Sequence, residues 1–189
     1  MPRKLTVFII LLIVNILVAY GSYINMLNKS ASGVKLTAAT APDFTWQDFN
    51  GKSGSLKDLS GKPVIIHFWA SWCRPCRTEF PELLKAAKQM NNVVFLTISA
   101  DNSIETAEKF IKEAKKNAAV TDLPNLIYAF DPDKKIAFDI FHTSMYPETI
   151  IIDSEHRMRR KFSGMVRWDG DDLSQYVTCM LSDADCTRN

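Results

Sequence analysis

The chain has 189 residues, 47% of them hydrophobic, and its 23 Lys and Arg side chains nearly balance 21 Asp and Glu. Four of the basic side chains and none of the acidic ones lie in residues 1–41, so the other 148 residues carry a formal charge near −2. That charge excludes the basic footprint of a nucleic-acid-binding domain. A domain of this length buries roughly 70% of its unfolded surface, so its core does not depend on disulfides.

Residues 1–27 have the pattern of a membrane anchor. No charged side chain occurs between Lys4 and Lys29, and about 20 apolar residues span a bilayer, whereas the apolar core of a cleaved signal peptide has about 7 to 15. Arg3 and Lys4 precede the apolar segment and should stay in the cytoplasm. We therefore expect residues 1–27 to be an uncleaved transmembrane signal anchor in the inner membrane. A signal peptide cleaved near residues 19–21 is the alternative.

Residues 28–41 are small and polar, with few groups to bury. Such a composition predicts a flexible tether. Because the basic residues are expected to stay in the cytoplasm, residues 42–189 should form one domain on the periplasmic, extracytoplasmic side of the membrane, close to its surface.

After residue 41, the apolar spacing predicts strands and helices that alternate. A hairpin is expected around the turn at Asn50 and Gly51. A largely apolar run predicts a buried central strand at residues 64–70, and a second buried strand is expected at residues 93–99; each is followed by an amphipathic helix. The later predicted elements are a strand at 126–130, a short helix at 134–141, paired strands at 149–153 and 157–163, and a helix at 173–181. This order predicts an α/β fold, with a mixed central sheet flanked by helices and an N-terminal β-hairpin extension.

A C-x-x-C pair, Cys73 and Cys76, lies between the first buried strand and the helix after it. The unpaired amides and the positive end of that helix should favour the thiolate of Cys73, and the adjacent Arg74 acts in the same direction. Cys76 lies one turn into the helix and would close the disulfide. A disulfide between two cysteines so close in sequence would stabilise the fold little, because closing so short a loop removes little conformational entropy from the unfolded chain. The pattern therefore favours a redox couple.

Two further cysteines, Cys179 and Cys186, lie near the carboxyl terminus. Six residues separate them, whereas a zinc site would usually place its ligands two to four apart, so we expect neither a metal nor a cofactor. In an oxidising compartment two nearby cysteines usually pair. We expect a structural disulfide there, and a second redox pair is the alternative.

The stretch VIIHFWASWCRPCRTEFP, with APDFTWQDFNGKSGSLKDLSGKP, FDPDKKIAFDIF and YPETIIID, resembles a known family. The family is that of the membrane-anchored extracytoplasmic thioredoxin-like proteins, the TlpA and ResA group together with the cytochrome c maturation reductants. The resemblance covers most of the domain. It implies a thioredoxin-like fold and thiol–disulfide oxidoreductase activity.

The resemblance also implies roles for individual residues. Cys73 would be the attacking cysteine and Cys76 the resolving one. Pro147 matches the cis-proline that lies against the dithiol in this fold, and Tyr146 would offer its backbone to an extended client segment. The residues assigned to client binding are Trp72, Arg74 and Tyr146.

Two acidic residues match the family pattern. Glu79 matches the family's glutamate near the dithiol, where it would influence client choice or proton movement; an ordinary surface acid is the alternative. Glu148 matches the P-E-T of the cytochrome c reductants, or is an exposed loop acid.

His67 departs from the family, since thioredoxins have aspartate at this position and the group often has asparagine. Two hypotheses stay open for it: a neutral core histidine with a satisfied hydrogen bond, and a proton shuttle for Cys76.

Together these features predict a membrane-tethered enzyme that attacks client proteins through Cys73 and resolves the mixed disulfide through Cys76. The resemblance favours reduction of disulfides in clients with cysteine pairs, such as apocytochrome c or copper-site proteins, with electrons from a membrane thiol donor. The alternative is a thiol oxidase, which would use the same pair of attacking and resolving cysteines in the opposite direction. Less favoured alternatives are a peroxiredoxin-like peroxidase and a metal-binding module.

Overall fold

A computed structural model describes residues 3–27, 34–35, 39–168 and 177 of the chain. It divides into two units, residues 1–30 and 31–189. The first unit holds helix α1, Arg3–Leu27, whose side chains are described for residues 9–22 and are exposed there. Among the described residues, no helix offers an apolar stretch long enough to cross a membrane. The anchor expected over residues 1–27 stays a prediction.

The second unit is built on a sheet of eight strands within the described residues. They are β1 (Val34–Lys35), β2 (Thr45–Asp48), β3 (Ser53–Ser55), β4 (Val64–Trp69), β5 (Val94–Ser99), β6 (Leu126–Phe130), β7 (Glu148–Ile152) and β8 (Met158–Ser163). Their order in the sheet is β1-β8-β7-β4-β5-β6-β2-β3. β4, β5 and β6 run parallel to one another, and the other neighbours are antiparallel. The predicted mixed sheet and hairpin extension, β2 with β3, are confirmed.

Part of the segment predicted to be a flexible tether is paired with the sheet. β1 pairs with β8, and Thr40 forms an isolated bridge with Arg157. Residues 34, 35 and 40 are thus paired with the sheet, while the flexible tether expected over residues 28–41 as a whole stays a prediction. The physical reason for the pairing is that an edge strand such as β8 offers unpaired backbone groups, which can hold a segment that has few side chains to bury.

Two helices connect the parallel strands: α2, Arg74–Gln89, follows β4, and α3, Ile104–Ala118, follows β5. Each buries one face, as its helical spacing of apolar residues predicts. Two short helices complete the described elements, a 3-10 helix at Leu56–Leu59 and a π-helix at Ile136–Ile140. The helix expected at 173–181 lies outside the described residues except for Val177, which is helical and buried.

All six side chains of β4 are buried, because helices cover one face of this central strand and further apolar residues cover the other. Ile65 and Trp69 belong to the core that includes α2 and α3. The alternating residues Val64, Ile66 and Phe68 belong to the core on the opposite face. His67 follows the first set, so a polar ring points from the middle of the sheet toward α2.

Candidate active site

The two cysteines of the motif lie where β4 ends and α2 begins. Cys73 is the N-cap residue of α2, and its Sγ accepts a hydrogen bond from the backbone N–H of Cys76 at 3.2 Å. The two sulfurs are joined in a disulfide. Cys73 is 6% exposed, whereas Cys76 is 0% exposed. Cys73 is therefore the sulfur that another protein can reach, and the first turn of the helix stabilises negative charge on it.

An exposed aromatic ring borders the dithiol. Trp72 is 63% exposed, and its ring lies edge-on to that of Tyr146, with 5.9 Å between the two centroids. The structure thus brings the cysteine motif together with the loop before β7. In that loop the Tyr146–Pro147 peptide bond is cis. Arg74, the first residue of α2, is exposed.

A buried carboxylate holds the turn that precedes the cysteines. Asp101 is 1% exposed and lies just after β5. It accepts hydrogen bonds from the backbone N–H and the hydroxyl of Ser71 and from the hydroxyl of Ser99. This cluster was missed in the sequence. Its one signal is an acidic residue directly after a buried parallel strand, at the edge of the sheet where binding sites of α/β folds gather.

Glu79 lies one turn after Cys76, on the buried face of α2. The residue is 3% exposed, so its interpretation as an ordinary surface acid is wrong. Its Oε2 accepts a hydrogen bond from the backbone N–H of Val166 at 2.8 Å. The chain that follows β8 therefore covers Glu79, a contact that the motif alone does not indicate.

His67 is fully buried in β4, with its ring edge-on to those of Phe80 and Trp168. Its Nδ1 lies 3.0 Å from Oγ1 of Thr149, the residue opposite it in β7. Its Nε2 lies 3.4 Å from Oε1 of Glu79. Within the described residues neither of these two facing atoms has a hydrogen-bond partner. The ring therefore lies between a hydroxyl and a carboxyl group.

Burial sets the protonation of this pair. It lowers the pKa of His67 from 6.5 to about 3, because a buried imidazolium loses its hydration. It raises the pKa of Glu79 from 4.5 to about 8, although hydrogen bonds from the backbone of Val166 and the side chain of Trp168 act in the opposite direction. Near pH 7 the contact is therefore between a neutral imidazole and a protonated carboxyl group, and not an ion pair. The proton of Glu79 can be exchanged in the pH range where thiols ionise.

Glu148 is not an exposed loop acid, because it is the first residue of β7 and is 0% exposed. The hydroxyl of Ser163 donates to its Oε1 at 2.7 Å, and Nζ of Lys161 lies 2.9 Å from its Oε2. Its side chain points to the sheet face opposite that of Thr149, as alternation along β7 requires. This acid is held by an ion pair and a hydroxyl.

Cys179 and Cys186 lie outside the described residues, and the disulfide expected between them stays a prediction. Among the described residues, no cluster of three or more His, Cys, Asp or Glu side chains could hold a metal ion. Sequence analysis missed the partners of Glu79 and His67, namely Thr149, Val166 and Trp168. No motif marks Val166 or Trp168, and the P-E-T motif that contains Thr149 does not indicate its contact with His67, because only the packing of distant segments brings these residues together.

Several known proteins resemble this chain. The profile of the AhpC/TSA family matches residues 37–161. The chain is 33% identical over 115 residues to the thioredoxin-like protein YneN of Bacillus subtilis, an alignment that covers 61% of this chain and 64% of that protein. It is 30% identical over 126 residues to the thiol-disulfide oxidoreductase ResA of the same organism, with 66% and 65% covered. The chain therefore spans slightly less than two thirds of the length of these two relatives.

A solved structure extends the likeness to three dimensions. The solution structure of a thiol:disulfide interchange protein from a Bacteroides species has a TM-score of 0.61 and 30% sequence identity with this chain. The match covers 80% of this chain and 93% of the other. The predicted thioredoxin-like fold is confirmed.

Proposed function

Because the chain belongs to the AhpC/TSA family, we propose that it is a thioredoxin-like thiol–disulfide oxidoreductase that acts outside the cytoplasm on client proteins with cysteine pairs. The observation that carries the proposal is the Cys73–Cys76 disulfide at the start of α2, in which Cys73 retains 6% exposure and Cys76 none. The names of two relatives, a thiol-disulfide oxidoreductase and a thiol:disulfide interchange protein, support the same reaction.

In the reducing direction the reaction starts from the dithiol. The thiolate of Cys73 attacks one sulfur of the client disulfide, which forms a mixed disulfide and releases the other client sulfur as a thiolate. The thiolate of Cys76 then attacks Sγ of Cys73 and displaces the second client sulfur. Two electrons pass to the client, whose two thiolates take up protons, and the Cys73–Cys76 disulfide present in the structure is the product. A membrane thiol donor would then reduce the pair again.

Client binding would use a row of aromatic rings, Trp72, Tyr146 and Phe138. The ring of Phe138, in the π-helix, stacks on that of Tyr146 with 6.1 Å between centroids. Trp72 and Phe138 are exposed, and Met145 beside them is 52% exposed. Exposed apolar side chains around a reachable sulfur suit an extended client segment that pairs with the backbone at Tyr146. The aromatic row would hold the apolar side chains that flank the client cysteine.

The proposed location is the inner membrane, with residues 1–27 as a single-pass anchor and the domain on the periplasmic side. The support is the uncharged apolar segment that follows Arg3 and Lys4. Protease added to spheroplasts should digest the domain without detergent. A domain that is protected until the membrane is dissolved would contradict this location.

The resemblance to the TlpA and ResA group supports apocytochrome c or copper-site proteins as clients. Trapping tests both the client class and the roles of the cysteines. Cys76→Ser should accumulate mixed disulfides between Cys73 and its clients, because the nucleophile remains and the resolving thiol is missing. Cys73→Ser is the matched control and should trap none of them. Equal trapping by both variants would contradict the assigned roles.

The direction of the reaction is tested by equilibration of the Cys73–Cys76 pair with glutathione buffers. A reduction potential below about −220 mV supports a reductase, and one near −120 mV supports an oxidase. Peroxide consumption that requires Cys73 would support a peroxiredoxin-like peroxidase instead. Stoichiometric metal in the purified chain, without thiol exchange, would support a metal-binding module.

A further inference from the structure

Three buried polar side chains form a row that crosses from β7 through β4 to α2. Thr149 Oγ1 lies 3.0 Å from His67 Nδ1, and His67 Nε2 lies 3.4 Å from Glu79 Oε1. Thr149 and His67 are 0% exposed and Glu79 is 3% exposed. Glu79 is three residues after Cys76 on the same helix face, where side chains are neighbours about 5 to 6 Å apart at Cβ. The row therefore ends beside the resolving cysteine.

The chemistry of the row allows two hydrogen-bonded states. A hydroxyl can donate or accept, and a neutral imidazole has one N–H and one acceptor nitrogen. When Glu79 is protonated, its O–H can donate to Nε2 of His67, while Nδ1–H donates to Thr149. When Glu79 is ionised, Nε2–H of His67 can donate to the carboxylate, while the hydroxyl of Thr149 donates to Nδ1. The two states differ in the tautomer of a ring that stays neutral.

We propose that His67 is a positioning residue for proton exchange at Glu79, because at 3.4 Å from the carboxyl group it can change tautomer as Glu79 gains or loses a proton and so offer it a hydrogen-bond partner in both states. The catalytic part of this inference rests on the proposed thiol–disulfide exchange. In that reaction, ionised Glu79 takes the proton of the Cys76 thiol. The Cys76 thiolate then forms the bond to Sγ of Cys73 as the client thiolate leaves. Glu79 finally returns its proton to solvent.

Burial supports a change of tautomer over a change of charge. The pKa of His67 is lowered to about 3 by desolvation, so the ring does not take up a second proton at neutral pH. The pKa of Glu79 is raised to about 8 by the same cause, so the carboxyl group titrates where a thiol does. The exchangeable proton thus resides on Glu79, and the neutral ring of His67 responds by a change of tautomer.

The surroundings of the ring add no competing charge among the described residues. In β5, the residue opposite His67 is Thr97, whose hydroxyl donates to the carbonyl of Ile127. In β7, Glu148 lies on the opposite face of the sheet and pairs with Lys161. Other described groups beside the row are uncharged: the backbone N–H of Val166 and the side chain of Trp168 act as donors to Glu79, the rings of Phe80 and Trp168 lie against His67, and Cys76 is next along α2. Glu79 is the ionisable group that faces the ring.

Nitrogen NMR of the full chain, labelled with 15N-histidine, tests the tautomer directly. The chain has three histidines, and His67→Gln identifies the signals of His67 by their loss. We expect the two ring nitrogens of His67 to exchange their protonated and unprotonated roles over a titration centred near pH 8, at the pKa of Glu79. Glu79→Gln is the matched control, in which this titration should be absent. One tautomer throughout pH 5 to 10, or a charged imidazolium, would overturn the inference.

The rate at which Cys76 resolves a mixed disulfide, measured against pH, tests the catalytic part. His67→Phe keeps a ring of similar size but removes both hydrogen-bonding nitrogens, so the ionised carboxylate of Glu79 loses a donor. We expect the pH profile to move upward by about one unit, which is roughly a tenfold slower step at pH 7. His67→Gln should move it much less, because a side-chain amide can present either N–H or C=O to Glu79.

A purely structural role would change the melting temperatures of these two variants and leave the pH profile as in the wild type, which would overturn the catalytic part. If His67→Phe does not fold, the wild type and Glu79→Gln still decide the tautomer by NMR. A chain that exchanges no thiols at all would refute the proposed function. An active chain with a fixed tautomer would refute this inference alone.

Discussion

Two buried glutamates lie on opposite faces of the central sheet, and their partners differ in kind. Glu148 is paired with the ammonium group of Lys161 and accepts from the hydroxyl of Ser163. Its neighbour across the strands is Phe68, which belongs to the core away from α2. The carboxyl group is thus held by a cation and a hydroxyl, as structural ion pairs are.

Glu79 has neither of these partners among the described residues. It accepts one backbone N–H, from Val166, and faces the neutral ring of His67. The two acids are almost equally buried, at 3% and 0% exposure. Burial alone therefore does not determine the role of a buried glutamate. Its partners determine whether the carboxyl group stabilises the fold through an ion pair or carries a proton that can be exchanged.

The largest effect is expected from removing the ammonium group of Lys161, the cation that pairs with Glu148. We expect Lys161→Met to lower the free energy of unfolding by about 3 kcal/mol, because a buried carboxylate is left without its partner. Nζ of Lys161 also donates to the carbonyls of Phe141 and His142. A double-mutant cycle with Glu148→Gln, by urea unfolding of the full chain at pH 7, isolates the pair. A coupling energy below about 0.5 kcal/mol would show that the pair does not hold the fold.

The effect of Glu79 on the fold can be measured from how the free energy of unfolding changes with pH. The pKa of Glu79 is raised from 4.5 to about 8, so it contributes stability at low pH that is lost as the pH rises to 8. The pKa of His67 is lowered from 6.5 to about 3, so its contribution is lost as the pH falls. Between pH 4.5 and 6.5 the loss of stability from Glu79 and the gain from His67 with rising pH cancel each other. We expect stability to fall by about 2 kcal/mol from pH 6.5 to 8, at about 1.4 kcal/mol per unit.

Urea unfolding over pH 3 to 9 measures these slopes as differences between each variant and the wild type. Glu79→Gln should remove the loss above pH 6.5, and His67→Asn should remove the loss of similar size between pH 4.5 and 3. An upper slope that survives in Glu79→Gln would mean that another group titrates there.

The smallest expected effect is that of the hydroxyl beside Glu148. Ser163→Ala removes one hydrogen bond to the buried carboxylate and should lower the free energy of unfolding by about 1 kcal/mol. The rate of thiol exchange against pH should stay as in the wild type, because Lys161 remains. Ser163→Thr, which keeps the hydroxyl, is the control. A moved pH profile in Ser163→Ala would mean that Glu148 also takes part in the exchange.

Much of the fold could be predicted because it depends on local patterns. The largely apolar run before Cys73 predicts a central strand, and β4 is buried at every position. The helical spacing after Cys76 predicts α2, and the paired strands near the carboxyl end are β7 and β8. The segment at residues 34–35 was missed because its pairing comes from backbone groups at a sheet edge, which leave little mark on side-chain composition.

The features of the active site also fall into those that local sequence predicts and those that depend on tertiary contacts. The amino-acid sequence by itself determines the two cysteines, their spacing, and the helix start that makes one sulfur the reachable one, since all of these involve residues within one turn of each other. Only the tertiary structure decides which acid is buried beside which base. His67 meets Thr149 across 82 residues, and Glu79 meets Val166 across 87. Those contacts depend on strand register and on the path of the chain after β8, and the protonation of Glu79 depends on the water that they exclude.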